Sequence, residues 1–246
     1  MVIIRCRDIT FPNIQAIIFD KDGTLEDSQV FLRELGQKRS RLIDAQIPGI
    51  GEPLLMAFGI QGNTLDPTGL TAVGSRRENE IAAAAYIAET GRGWLESLAI
   101  AHKAFAEADW YLKDAANTLP MFTGSLEVLK FFSEAGLKLG ILSADSTSKV
   151  QAFVKRHQLE PLLQLQQGVD QEPSKPDPAL FIKACQTLGI EPTSALMVGD
   201  SAGDIEMARR AGAAGCIGIF WGTAQAAHLE AADVVIGQLD EIQISE

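Results

Sequence analysis

The stretch NIQAIIFDKDGTL, residues 13–25, decides the fold. It opens with a short run of branched apolar side chains that stops at Asp20, which is typical of a strand buried in a parallel sheet. Gly23 supplies a turn after the strand that can bring the carboxylates of Asp20 and Asp22 to one site. Two close carboxylates repel each other unless a cation or a shared proton lies between them, and Mg²⁺ prefers oxygen ligands. The stretch therefore predicts either a metal site at a strand end or a solvated polar turn.

The alternation of apolar runs and helices continues through the second half of the chain. Further strand candidates lie at residues 137–142, 162–166, 195–198, 215–220 and 232–236. Helical periodicity separates them, and a glycine follows three of the four helical segments, which are residues 126–135, 148–157, 178–188 and 204–211. This alternation predicts an α/β fold with a doubly wound, Rossmann-like parallel sheet, in which active sites lie beyond the carboxyl ends of the strands.

Residues 29–118 interrupt this pattern. They show helical periods and hardly any strand signal, and Trp94 and Phe105 lie on one face of a predicted helix. We therefore expect a discontinuous α/β core formed by residues 1–28 and 119–246, with residues 29–118 inserted as a mostly helical cap domain.

The composition excludes several classes of partner. The chain has 246 residues, with 21 Lys and Arg against 32 Asp and Glu, so its formal net charge is −11 at pH 7. An acidic chain is a poor partner for nucleic acid or for an anionic membrane. No apolar run approaches the ~18 residues that a membrane span needs, and residues 1–7 are too polar for a signal peptide. We expect a cytoplasmic protein with no nucleic acid, membrane or obligatory protein partner.

Three further segments place polar side chains at strand ends or in stiff loops. GDSAGD at residues 199–204 puts Asp200 directly after an apolar strand and Asp204 at the start of a helix, where Asp204 could also be an N-cap. Ser143 ends another strand and could hold a phosphate oxygen beside backbone N–H groups, or simply cap a turn. Lys175 lies in PSKPDP, where prolines stiffen a loop that displays one cation, although a surface lysine would look the same.

Taken in their order along the chain, these four motifs resemble those of the haloacid dehalogenase-like hydrolase superfamily. The resemblance rests on FDKDGTL at residues 19–25, the strand that ends in Ser143, Lys175 before Pro-Asp-Pro, and GDSAGD at residues 199–204. The helical insert falls where one subgroup of the superfamily carries a helical cap, and the phosphoglycolate phosphatases are similar members of it.

The resemblance implies a role for each motif residue. Asp20 matches the nucleophile that attacks phosphorus and forms an aspartyl-phosphate. Asp22 matches the general acid and base, and its backbone carbonyl matches a metal ligand. Asp200 completes the Mg²⁺ site with Asp20, and Asp204 matches a second acid whose contact with the metal varies from direct to indirect. The groups that bind the transferred phosphoryl are matched by Ser143, Ala144 and Lys175.

The sequence departs from the family pattern in two places. Position 21 is Lys, as in the P-type ion pumps, but Asp22 stands where the pumps have Thr. Asp22 also favours phosphoryl transfer over carbon–halogen cleavage, because haloacid dehalogenases lack this second acid. The segment Ser143-Ala144-Asp145 differs from the Ser/Thr-Asn pattern expected after the second strand.

The resemblance implies a Mg²⁺-dependent phosphatase that hydrolyses a small phosphorylated metabolite through an aspartyl-phosphate. A phosphosugar mutase and a phosphonate hydrolase are the alternatives within the superfamily, the latter with Lys38 or Lys103 as a Schiff-base lysine. A non-catalytic phosphate-binding regulator is a third alternative, but such a protein would lack the nucleophile or the motif lysine, and both are present.

Arginines in the insert are candidates for substrate selection. Arg76 and Arg77 lie near a predicted helix start at Ser75, where the helix dipole disfavours cations, and a carboxylate on the substrate would be one reason to hold them there. Arg92, between two glycines, is the second candidate. Pairing with acids on the surface of the insert is the alternative for these arginines, and the motifs leave the leaving group of the substrate unspecified.

Overall fold

The computed structural model describes residues 2–171, 173–222 and 226–245. The chain forms two compact units, which we call the core unit (Met1–Asp27 with Pro120–Glu246) and the insert unit (Ser28–Leu119). Among the described residues, no helix combines the length and the apolar character needed to cross a membrane.

In chain order, the strands are β1 (Val2–Cys6), β2 (Ile9–Ile14), β3 (Ala16–Phe19), β4 (Ile60–Gln61), β5 (Thr64–Leu65), β6 (Lys138–Leu142), β7 (Leu165–Gln167), β8 (Ala195–Gly199), β9 (Gly215–Ile219), β10 (Val234–Ile236) and β11 (Ile242–Ser245). The helices are α1 (Gln29–Asp44), α2 (Gly51–Ala57), α3 (Leu70–Val73), α4 (Arg76–Glu89), α5 (Trp94–Tyr111), α6 (Lys113–Ala116), α7 (Ser125–Glu134), α8 (Thr147–Arg156), α9 (Pro178–Leu188) and α10 (Ala202–Arg210).

A parallel sheet with the strand order β10-β9-β8-β3-β6-β7 forms the centre of the core unit. Helices connect its strands, so the predicted doubly wound α/β fold is confirmed. The short central strand β3 is buried along its whole length because both faces are covered. Ile17 and Phe19 pack into one apolar cluster, whereas Ala16 and Ile18 pack into a second cluster on the other face.

The prediction of one strand over residues 13–19 is wrong. Asn13 adopts a left-handed backbone conformation with φ of 60°, and the run is divided between β2 and β3. Strand β2 joins β1 and β11 in a three-stranded antiparallel sheet that the sequence patterns did not indicate.

The insert unit is mostly helical and also contains the antiparallel pair β4–β5. Its apolar cluster is centred on Phe58 and Phe105, whose rings meet edge to face with centroids 6.2 Å apart. Small side chains, among them Ala84 and Ala101, line the helices α4 and α5 that pack closely in this unit. Helix α4 begins with a capping box in which Ser75 and Glu78 bond each other's backbone N–H groups.

Replacing Phe105 tests this cluster. We expect Phe105→Ala to lower the free energy of unfolding by about 3–5 kcal/mol, because the buried ring leaves a cavity that its neighbours cannot fill. Leu95→Ala is the matched control on the same helix, since Leu95 is 80% exposed. Urea unfolding of both variants measures the difference, and equal midpoints would contradict the burial of Phe105 in this cluster.

Candidate active site

The functional candidates of the core unit follow strands that end at one edge of the parallel sheet. Phe19 of β3 is in register with Ile141 of β6 and with Val198 of β8. The three neighbouring strands therefore end at the same level, and the polar residues that follow them are Asp20, Ser143 and Asp200.

Three carboxylates converge at this edge. One oxygen of each lies within 4.8 Å of the others, and the residues are Asp20, Asp200 and Asp204. The ammonium of Lys175 lies 2.6 Å from Asp20 Oδ1 and 2.6 Å from Asp204 Oδ1, with its side chain only 6% exposed. Lys175 is thus a buried cation between two of the acids, and not the surface lysine that a stiff loop could equally display.

Burial and mutual repulsion disfavour charge on these acids. Burial raises the pKa of Asp20 to about 7, and the Asp204 and Asp22 charges add to this shift while Lys175 opposes it. The pKa of Asp200 is raised well above its ordinary value, first by burial and then by the charges of Asp20 and Asp204. The pKa of Lys175 is raised, because the attraction of Asp20 and Asp204 outweighs the effect of its own burial.

Asp204 uses its two oxygens for different purposes. Ser201 is the N-cap of α10, so the interpretation of Asp204 as an N-cap is wrong. Asp204 Oδ2 accepts from the Ser201 hydroxyl at 2.6 Å in a capping box, which leaves Oδ1 to Lys175. A side chain at Gly199 would lie 2.5 Å from Asp204 Cγ, so this close approach requires glycine there.

Gly23 has a similar steric role beside Asp200. Its φ of 73° is left-handed, and a Cβ built on it would lie 1.9 Å from Asp200 Oδ2. The predicted turn therefore brings the backbone of the first motif against the carboxylate that follows β8.

The cluster fits a divalent cation by its charge and its ligand type. With all groups ionised, Asp20, Asp200 and Asp204 carry three negative charges, and Lys175 neutralises one of them. The remaining charge of −2 matches a cation such as Mg²⁺, whose preferred ligands are oxygen atoms. Burial, and after it the neighbouring carboxylates, raise the pKa values of Asp20 and Asp200, and a bound cation would favour their charged forms.

The other predicted site residues of the core unit have different surroundings. Asp22 Oδ2 lies 2.6 Å from the ammonium of Lys21. Ser143 is buried, and its hydroxyl oxygen accepts from the backbone N–H of Asp145 at 3.1 Å. Ala144 lies between these two residues in the bend that follows β6.

Sequence reasoning missed several charged and polar groups around the site. Glu26 is buried and lies 2.8 Å from Lys21, and Arg156 contacts its other oxygen. His228 Nε2 lies 3.0 Å from the backbone oxygen of Asp200. Neither Arg156 nor His228 belongs to a short motif, because each reaches the site from a distant segment of the chain.

Arg76 and Arg92, two of the candidate arginines, have partners within the insert unit. Arg76 pairs with Glu80 at 2.8 Å and contacts Asp109 on α5. Arg92 donates to the hydroxyl of Thr90 at 2.7 Å. Arg77 is the second residue of α4. The roles of Arg76, Arg77 and Arg92 in substrate selection stay predictions.

A family model described as haloacid dehalogenase-like hydrolase matches residues 14–212. The chain belongs to this family. The predicted family and the predicted enzyme class are thereby confirmed.

Named phosphatases are among the relatives of this hydrolase. The chain is 29% identical over 210 residues to an N-acetylmuramic acid 6-phosphate phosphatase of Pseudomonas putida, a match that covers 81% of this chain and 80% of the relative. It is 28% identical over 226 residues to a phosphoglycolate phosphatase of Caulobacter vibrioides, covering 91% and 87%. A predicted phosphoglycolate phosphatase from Haemophilus somnus has the same fold, with a TM-score of 0.69 at 21% identity and coverage of 92% and 95%.

Substitution of Gly23 tests the close approach at Asp200. We expect Gly23→Ala to lower turnover at least about tenfold, because the added methyl group must displace the carboxylate of Asp200, a predicted metal ligand. Gly49→Ala is the matched control, since Gly49 also has a positive φ, of 97°, but open space around its Cβ, so only the ~1–2 kcal/mol of left-handed strain applies. Phosphate release from a panel of phosphorylated metabolites measures both variants, and equal turnover in the two would contradict the steric argument.

Proposed function

We propose that this hydrolase is a divalent-metal-dependent phosphatase that releases phosphate from a small phosphorylated metabolite. The observation that carries the proposal is the Asp20 carboxylate, which follows the central strand, contacts Lys175 and lies among acids whose mutual repulsion a bound cation would relieve. An anionic nucleophile needs such surroundings because it must approach an anionic phosphate.

The proposed reaction has two displacements. In the first, an Asp20 oxygen forms a bond to phosphorus, the bond from phosphorus to the leaving oxygen breaks, and Asp22 gives its proton to that oxygen. In the second, Asp22 accepts a proton from water, the water oxygen bonds to phosphorus, and the acyl phosphate bond breaks to return the Asp20 carboxylate. Splitting one difficult displacement into two is the gain from a covalent intermediate, and a single carboxyl group can serve both proton transfers.

Groups of the core unit support this chemistry by charge and position. Mg²⁺ would be held by Asp20, Asp200, Asp204 and the Asp22 carbonyl, where its positive charge would stabilise the negative charge that develops on the phosphoryl oxygens. Lys175 is already beside Asp20, and Ser143 with the backbone at Ala144 is our candidate for the remaining phosphoryl contacts.

The names of the relatives support a substrate class. N-acetylmuramic acid 6-phosphate and phosphoglycolate are both phosphorylated small acids. We therefore propose a carboxylate-bearing phosphate monoester as the substrate of this enzyme, and the arginines of the insert unit stay our candidates for its carboxylate. Action in the cytoplasm stays a prediction from composition.

Removal of the nucleophile tests the covalent step. We expect Asp20→Asn to lower turnover by more than about 10⁴-fold, because the loss of a nucleophile exceeds the loss of acid–base catalysis, which is worth ~10²–10⁴. Its melting temperature should be at least that of the wild type, since the raised pKa of Asp20 shows that burial disfavours the charged form. Rapid-quench intact mass spectrometry should show a phosphorylated wild type and an unmodified variant.

Asp240→Asn, an exposed carboxylate, is the control and should keep full turnover. A loss of less than about tenfold in Asp20→Asn would contradict covalent catalysis. Products that keep their phosphoryl group would instead favour a mutase, and cleavage of a carbon–phosphorus bond would favour a phosphonate hydrolase.

Chelation tests the metal. We expect exhaustive chelation to abolish turnover and added Mg²⁺ to restore it. Mg²⁺ should also raise the melting temperature of the wild type, since a ligand that binds only the folded state stabilises it. Asp200→Asn should weaken this thermal shift and Asp240→Asn should not, so metal binding is measured apart from activity. Full turnover in the chelated enzyme would refute the metal requirement.

A further inference from the structure

A second group of charges lies beside the acids of the active site. We call it the six-charge cluster, and its members are Lys21, Asp22, Glu26, Asp145, Lys149 and Arg156. Three cations face three carboxylates in it, so the cluster is neutral when all six groups are ionised. Lys21 is its centre, because its ammonium contacts three of the members and its side chain is only 4% exposed.

Three carboxylates surround the ammonium of Lys21. Its nitrogen lies 2.6 Å from Asp22 Oδ2, 2.8 Å from Glu26 Oε2 and 3.2 Å from Asp145 Oδ2. An ammonium has three protons to donate, and here three carboxylates accept them. Asp22 is therefore held at one oxygen by a cation that Glu26 and Asp145 fix from other sides.

The two departures from the family pattern meet at this point. Lys21 stands between the two acids of the first motif, and Asp145 lies in the unusual segment that follows β6. Their side chains form an ion pair although they come from different strand ends. Asp145 is in turn contacted by Lys149 at 3.0 Å from the first turn of α8.

Stability alone is a weak reason for a buried lysine at this position. Taking an ammonium and its partners out of water costs free energy, and replacing a buried ion pair by apolar side chains is often neutral or stabilising. Glu26 is almost fully buried, whereas the side chains of Asp22 and Asp145 keep 18% and 23% exposure, so Asp22 is a partner of Lys21 that can also reach a bound molecule.

We propose that Lys21 is a positioning residue that holds Asp22 in the orientation for proton exchange with the leaving group, with Glu26 and Asp145 anchoring Lys21. The proposal rests on the proposed function, in which Asp22 is the general acid and base. By holding Asp22 Oδ2, Lys21 leaves Oδ1 for proton transfer and prevents the carboxyl group from turning away.

The proposed role of Lys21 predicts that its loss slows the cleavage of some substrates more than that of others. An alkyl phosphate releases a strongly basic alkoxide, so its cleavage depends on a well-placed acid. p-Nitrophenyl phosphate releases a weakly basic phenolate, which departs with little help from an acid. Loss of the orientation of Asp22 therefore affects kcat/KM for the alkyl phosphate far more than kcat/KM for the aryl phosphate, whereas a general loss of structure affects both alike.

The experiment compares Lys21→Met, Lys21→Met/Asp145→Asn and Lys149→Met with the wild type. The alkyl phosphate is phosphoglycolate or, where the wild type cleaves it faster, the best alkyl phosphate of the metabolite panel. The double variant removes one charge of each sign, so the cluster stays neutral and we expect its melting temperature to exceed that of Lys21→Met. Lys149→Met removes a cation from the same Asp145 without touching Asp22, and it should retain wild-type kcat/KM.

In both Lys21 variants we expect kcat/KM for the alkyl phosphate to fall at least about 30-fold, within the ~10²–10⁴ range of acid–base catalysis or just below it. For p-nitrophenyl phosphate we expect less than about a threefold loss. The double variant should keep this difference between the substrates although its stability has returned.

Three results would overturn the role of Lys21. They are equal losses for the two substrates, recovery of alkyl phosphate cleavage in the double variant, and unchanged kcat/KM for the alkyl phosphate in a folded Lys21 variant. A wild type that releases no phosphate from any member of the panel would instead refute the proposed function itself, and the positioning role with it.

Discussion

Repulsion among the carboxylates at the carboxyl edge of the parallel sheet is the constraint on which the rest of the core unit depends. Asp20, Asp200 and Asp204 lie close enough to share one ion, and burial strengthens their repulsion. Lys175 removes part of it by contacting two of the three acids. The glycines at positions 23 and 199 lie against these acids, since a Cβ built at either position would overlap Asp200 or Asp204.

The charges of this region separate into two groups with different balances. Around Asp20, the acids outnumber the cation, which leaves a negative site suited to a divalent cation. Around Lys21, cations and carboxylates are equal in number, and the group needs no external ion. Asp22 belongs to the neutral group through its side chain, although it stands next to the negative site in sequence. The proton-transfer role that we propose for Asp22 would gain from this separation, because Lys21 contacts its carboxylate without any bound ligand.

The parallel sheet and the motif acids could be predicted from the sequence because both are local patterns. Apolar runs that end in Asp or Ser identify β3, β6 and β8, and neighbouring parallel strands bring their ends together without further information. The antiparallel sheet was missed because β2 contains Pro12 and Asn13, which are poor strand signals, and because β11 pairs with β1 from the far end of the chain. The burial of Lys21 was equally hidden, since its partners Glu26 and Asp145 lie in separate segments and a lysine in a polar loop looks solvated.

Because the core unit is interrupted in sequence, its central strand is synthesised long before the strands that it pairs with. Ile17 of β3 pairs with Leu139 and with Leu196, which the ribosome adds 122 and 179 residues later, the differences between their positions in the chain. The insert unit is continuous in sequence and has its own apolar cluster, so it can fold before β6 and β8 have been synthesised to pair with β3. During that interval β3 exposes an apolar segment with two unpaired edges, a surface prone to aggregation that a chaperone would have reason to cover.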